Sequence, residues 1–78
     1  MNELQTKIVD YINLPQIKWY REPRYIYYEY KPDWYIDIFL DGKIRMMNDA
    51  LLTTEEQMIT PTEAKKILEK AIKLENFK

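Results

Sequence analysis

Residues 34–47 read Trp34-Tyr35-Ile36-Asp37-Ile38-Phe39-Leu40-Asp41-Gly42-Lys43-Ile44-Arg45-Met46-Met47. Aromatic and β-branched residues flank an Asp-Gly pair, which is the pattern of two strands joined by a tight turn. Two registers compete. A two-residue Asp41-Gly42 loop sets Phe39 opposite Ile44 and Asp37 opposite Met46. A three-residue Leu40-Asp41-Gly42 loop with a left-handed Gly42 sets Ile38 opposite Ile44, Ile36 opposite Met46 and Asp37 opposite Arg45. Because strand side chains alternate between faces, a one-residue slip turns the whole strand over. Only the three-residue loop separates apolar from charged positions, and it adds an Asp37–Arg45 ladder pair worth ~0.2–1 kcal/mol. That register is the expected one.

The same parity test extends upstream. Lys31-Pro32-Asp33 as a three-residue loop pairs Tyr30 with Trp34, Tyr28 with Ile36 and Ile26 with Ile38. A four-residue loop over Arg21-Glu22-Pro23-Arg24 pairs Trp19 with Ile26 and Ile17 with Tyr28. All three turns agree on an inner face of Ile17, Trp19, Ile26, Tyr28, Tyr30, Trp34, Ile36, Ile38, Ile44 and Met46. Four strands follow, near 16–20, 25–30, 34–40 and 43–47, joined as a meander.

Helical patterns lie on either side. Leu4, Ile8, Tyr11 and Ile12 repeat at the spacing of one helical face over residues 2–13, and Pro15 ends that helix. Thr60-Pro61-Thr62-Glu63 combines a hydroxyl cap, a first-turn proline and a glutamate three residues on, so a second helix spans about 61–75. Its apolar stripe is Ala64, Ile67, Leu68, Ala71 and Ile72. Residues 49–60 carry three acids, Asp49, Glu55 and Glu56, and read as loop with a short helical turn at Thr53–Glu56, or with Gln57–Ile59 as an edge strand. The expected fold is α+β over residues 1–78 as one domain. An N-terminal helix, a four-stranded antiparallel β-meander and a C-terminal helix form a two-layer sandwich.

Composition excludes more chemistry than any motif supports. The 78 residues contain no Cys, no His and no Ser, and Gly42 is the single glycine. Disulfides, thiolate chemistry, Ser-based triads, imidazole acid–base catalysis and glycine-rich phosphate loops are therefore out of reach. No cofactor or metal site is expected. Asp33, Asp37 and Asp41 recur every fourth residue, but two fall in turns, which suits turn chemistry better than ion binding. Lys65, Lys66, Lys70 and Lys73 read as the solvated face of the last helix. A net charge of −1 disfavours a duplex-binding protein. No apolar run reaches membrane-spanning length and the N-terminus lacks the pattern of a secretion signal, so a cytoplasmic protein is expected.

The register leaves Lys18, Tyr20, Tyr25, Tyr27, Glu29, Tyr35, Asp37, Phe39, Lys43 and Arg45 on the outer face. Five of these ten are aromatic. Half-exposed, five such rings would present roughly 400–600 Å², the upper end for a monomer. Aromatic residues also stabilise sheets with no ligand at all, so a scaffold role is the competing reading. The expected function is a non-catalytic protein-binding module. Lys18, Tyr20, Tyr25, Tyr27, Tyr35, Phe39 and Arg45 are its contact residues, with Tyr20, Tyr27 and Phe39 as anchors and Lys18 and Arg45 at the rim. The partner is another protein or a second copy in a homodimer. An Ile-, Lys- and Tyr-rich chain poor in Ala and Arg matches AT-rich coding, which narrows the expectation to a phage or mobile-element inhibitor of a host protein. The alternative class is single-stranded nucleic acid stacked on Tyr25, Tyr27 and Phe39, with Lys18, Lys43 and Arg45 on phosphates.

Overall fold

The Asp41-Gly42 hairpin adopts the three-residue register: Ile38 pairs with Ile44, Ile36 with Met46 and Asp37 with Arg45. Gly42 has φ +87, and its N–H donates to the Phe39 carbonyl at 3.0 Å. A Cβ at that φ would be strained, which is why the turn uses the chain's single glycine.

The computed structural model describes residues 1–50 and 53–76. In order they form α1 (Glu3–Ile12), β1 (Tyr20–Arg21), β2 (Tyr25–Lys31), β3 (Trp34–Phe39), β4 (Ile44–Ala50), β5 (Thr53–Ile59) and α2 (Pro61–Asn76). The strands lie side by side in chain order as one open antiparallel sheet. The fold is α+β as expected, but with five strands instead of four.

Three local expectations are corrected. The first strand shrinks to Tyr20–Arg21 and pairs Tyr20 with Tyr27 and Arg21 with Ile26. The Glu22 N–H donates to the Tyr25 carbonyl at 2.8 Å, so Pro23-Arg24 closes a tighter turn than the four-residue loop. The slip is two residues, an even number, so the faces survive. Ile17 remains buried, and Trp19 packs on the core with its ring 6.2 Å from Tyr28. In the second turn, Asp33 takes φ 67 and Lys31 joins the ladder opposite Trp34. Tyr30 becomes the extra residue in a bulge, no longer Trp34's ladder partner, although the two rings stay 6.5 Å apart.

The largest correction is β5. Residues 53–59, expected as loop or helical turn with only Gln57–Ile59 weighed as strand, pair with all of β4, from Ile44↔Ile59 to Ala50↔Thr53. Seven ladder positions outweigh the weak helical tendency of an acidic segment, and they draw β4 three residues past its expected end at Met47. Leu51 and Leu52, within the expected loop, lie outside the described residues.

Both helices cover the inner face. Ile12, Ala64, Leu68 and Ile72 are buried against Ile17, Ile26, Ile36, Ile38 and Ile44. The α2 start is built as its sequence implies: the Glu63 N–H donates to the Thr60 hydroxyl at 3.2 Å, and the Thr60 N–H donates to the Glu63 carboxylate at 3.1 Å. In α1 the stripe shifts from the one expected. Leu4 and Tyr11 are each 47% exposed, and Gln5 is buried instead. Its Oε1 accepts from the Asn2 N–H at 3.0 Å, and its Nε2 donates to the Ile38 carbonyl at 2.9 Å. One amide thus closes the helix N-terminus and fastens α1 to β3.

Gln5→Ala is expected to cost about 1–3 kcal/mol, since it removes half of a capping box and orphans a buried carbonyl. Urea unfolding measures it. A loss below about 0.5 kcal/mol would show that water replaces the amide at no cost.

Candidate partner-binding face

The opposite face of the sheet has no helix over it among the described residues. Alternation puts Tyr20, Tyr25, Tyr27, Tyr35 and Phe39 there, and β pairing brings their rings into one chain. Tyr20 stacks on Tyr27 at 5.6 Å, Tyr27 meets Tyr25 at 6.1 Å and Tyr35 at 5.9 Å, and Tyr25 meets Phe39 at 5.3 Å. Tyr27 is the hub, touching three rings. Such pairs contribute about 0.5–1.5 kcal/mol each beyond buried area. Tyr20, at the sheet edge, is the most open, at 57% exposure.

At the centre sits an ion pair. The Arg45 Nη2 and Nε donate to one oxygen of Asp37 at 2.8 and 2.9 Å. The Arg45 Nη1 reaches Glu56 on β5 at 3.4 Å. The guanidinium also lies over the Phe39 ring at 4.9 Å and the Tyr25 ring at 5.6 Å. Arg45 is therefore in the middle of the face and fully engaged, not at a rim. Asp37 is only 2% exposed, which costs solvation that the pairing offsets only in part.

Burial lifts the Asp37 carboxyl above its ordinary value, with Arg45 pulling the other way. The folded state therefore holds this proton more tightly than the unfolded chain. The carboxylate works against stability above its folded pKa, and this penalty is relieved as pH falls through the raised value. Measured against Asp37→Asn, which cannot titrate, the wild-type protein is expected to gain relative stability as pH falls from about 7 to about 4. A relative loss over that range would mean that the pair outweighs burial.

The remaining predicted contacts divide. Lys18 precedes β1, exposed, and makes none of the ring or ion-pair contacts that join the other six. Lys43 is exposed at the hairpin end, 3.8 Å from Asp41. Asp33 and Asp41 occupy turns at opposite ends of β3, with Asp37 between them, and no group of three acids placed to hold a metal ion occurs among the described residues. Residues 53–59 do not fold back over the sheet; as β5 they widen it, adding Glu56 and the 54%-exposed Met58 beside Arg45. Met47, two residues on from Arg45, shares the face, and Asp49 joins it because β4 runs on to Ala50.

A shallow depression of about 260 Å³ lies over this centre, lined by Tyr25, Tyr27, Tyr35, Asp37, Arg45, Met47, Asp49 and Glu22. Its lining carries three carboxylates, Glu22, Asp37 and Asp49, against one guanidinium, Arg45. Burial raises the Tyr25 hydroxyl, helped by Asp37 and Glu22 against the opposing pull of Arg45. A hydrogen bond to Glu29 raises that of Tyr35, with Asp33 and Asp49 acting in the same direction. Parity alone places Met47 on this face within the expected strand, and Asp49 once the strand is drawn to its full length; Glu56 and Met58 depend on recognising β5.

A wider hollow of about 620 Å³ opens on the other side, between the Pro32 turn and α2, with Ile67, Ala71 and Leu74 on one wall and Lys31 and Lys70 nearby. Lys31 is held over the Trp34 ring at 4.9 Å. No helix among the described residues is long and apolar enough to cross a membrane. Comparison with protein-family models, curated proteins and solved structures found no match.

Proposed function

We propose that the protein is a small non-catalytic module that binds another protein through the aromatic face of its sheet. The observation that carries this reading is the uncovered, contiguous ring cluster held in place around the Asp37–Arg45 pair. Rings already fixed by neighbours lose little freedom on docking, so more of their contact energy reaches affinity. Tyr20, Tyr25, Tyr27, Tyr35 and Phe39 supply the contact area, with Met47 and Met58 as adaptable edges. The lack of His, Cys and Ser supports a non-catalytic role. The narrower form, a phage or mobile-element protein that blocks a host factor by covering its surface, rests on composition.

Single-stranded nucleic acid is less well supported. Its phosphate contacts would be Lys18, Lys43 and Arg45. The first lies outside the ladder, the second is beside Asp41, and the third is committed to Asp37 and Glu56.

The test is affinity capture from lysate with and without nuclease, using wild type and Tyr27→Ala/Phe39→Ala as baits. One stoichiometric protein that survives nuclease and is missing from the variant sample is the expected result. Recovery that collapses with nuclease favours nucleic acid, and a bait that returns alone or as a dimer rejects the separate-partner reading.

A further inference from the structure

Resting on that reading, we infer that the partner presents a cationic side chain, an arginine or a lysine, to the depression between Tyr27, Tyr35, Glu22 and Asp49. Three observations converge there. The first is charge. Glu22, Asp37 and Asp49 line the depression against Arg45 alone, and Arg45 is neutralised by Asp37. Among the described residues, Glu22 and Asp49 have no cation within ion-pair distance, and both are exposed. The depression therefore offers one unspent carboxylate at each end, Glu22 level with Tyr25 and Asp49 beyond Tyr35.

The second is the walls. Tyrosine ring faces attract cations, and a guanidinium stacks flat on them while its N–H groups reach carboxylates beside the ring. The third is a precedent within the molecule: Arg45 lies 4.9 and 5.6 Å over Phe39 and Tyr25 while bonding to Asp37. A second guanidinium, from outside, would meet the same ring-plus-carboxylate environment one step along the face. A phosphate or an acidic peptide would meet repulsion, and a wholly apolar segment would leave Glu22 and Asp49 desolvated and unpaired.

The test uses the full chain and a defined probe: a capped Gly/Ser peptide carrying three arginines, beside the same peptide with citrulline, a neutral near-isostere. Amide chemical shifts of labelled protein are followed up to millimolar peptide. Shifts centred on Tyr27, Tyr35 and Asp49 with the arginine peptide, and none with citrulline, are expected. Glu22→Gln/Asp49→Asn, both at exposed positions, should weaken binding about tenfold. Equal shifts with both peptides, shifts on other surfaces, or no shifts would overturn the inference. So would self-association that the same variant abolishes, which would assign the face to a second copy. If the arginine peptide fails while capture still depends on Tyr27 and Phe39, the cation is rejected and the protein-binding reading stands. If neither binds, both fall.

Discussion

Arg45→Met is expected to lower stability by about 2–4 kcal/mol at neutral pH, whereas Asp37→Leu/Arg45→Met is expected to stay within about 1–2 kcal/mol of wild type. The asymmetry follows from where the charges sit. Asp37 is 2% exposed and its Oδ2 takes both N–H groups of Arg45. Removing Arg45 alone leaves a carboxylate among Tyr25, Tyr27 and Tyr35 with no cation beside it. Some water reaches it through the open depression, which holds the figure below that of a sealed pair. Removing both charges leaves an apolar strip between Phe39 and Met47. Urea unfolding of the three proteins gives the comparison, and pH sharpens it. Without Arg45, only burial acts on Asp37, so its folded pKa rises further. The single-variant deficit should be full near neutral pH and shrink as pH falls and the carboxyl takes up its proton. A deficit independent of pH would mean that Arg45 acts through its packing on Phe39 and Tyr25.

Much of this centre is legible in the amino-acid sequence. The Asp37–Arg45 pairing follows from one loop length, and that length follows from asking which register sorts Ile36 and Ile38 from Asp37. The inner and outer faces survive even the misplaced β1–β2 turn, because an even slip preserves parity. Two features are not legible. Thr53-Thr54-Glu55-Glu56 has helical capping chemistry, and its two glutamates work against the strand tendency of its two threonines; β4 decides it by offering a full row of partners, a tertiary cause. Gln5 is polar and stands outside the expected stripe of Leu4, Ile8, Tyr11 and Ile12. It is buried because its amide serves the α1 N-terminus and the Ile38 carbonyl together, and periodicity cannot weigh a side chain by the bonds it will find. Both features bear on function or on the frame that holds it. The Gln5 amide fixes α1 to β3, the strand that carries Asp37. β5 supplies Glu56 and Met58, and the longer β4 supplies Asp49, so the fifth strand adds to the acidic character that Glu22, Glu29 and Asp37 already give the face.

Tyr27→Ala/Phe39→Ala is expected to weaken partner binding at least about hundredfold while costing about 1–3 kcal/mol of stability. Tyr27 touches three rings and Phe39 carries the Arg45 guanidinium, so the pair removes the hub of the ring chain and the platform of its ion pair. Truncated aromatic anchors at an interface centre each cost about 2 kcal/mol or more of binding, and roughly 2.7 kcal/mol is already hundredfold. Both rings are half-buried, so stability falls less than it would for core residues. A domain of this size holds about 4–12 kcal/mol, which leaves the variant folded across most of that range. Should it unfold, Tyr20→Ala decides the matter. Tyr20 is 57% exposed and, among the described residues, its ring stacks on Tyr27 alone, so stability should move by about 0.5 kcal/mol while binding falls about tenfold. Calorimetric titration of the captured partner and urea unfolding of the same samples give the two numbers. If stability falls in both variants and affinity does not, the rings serve only to hold the sheet together.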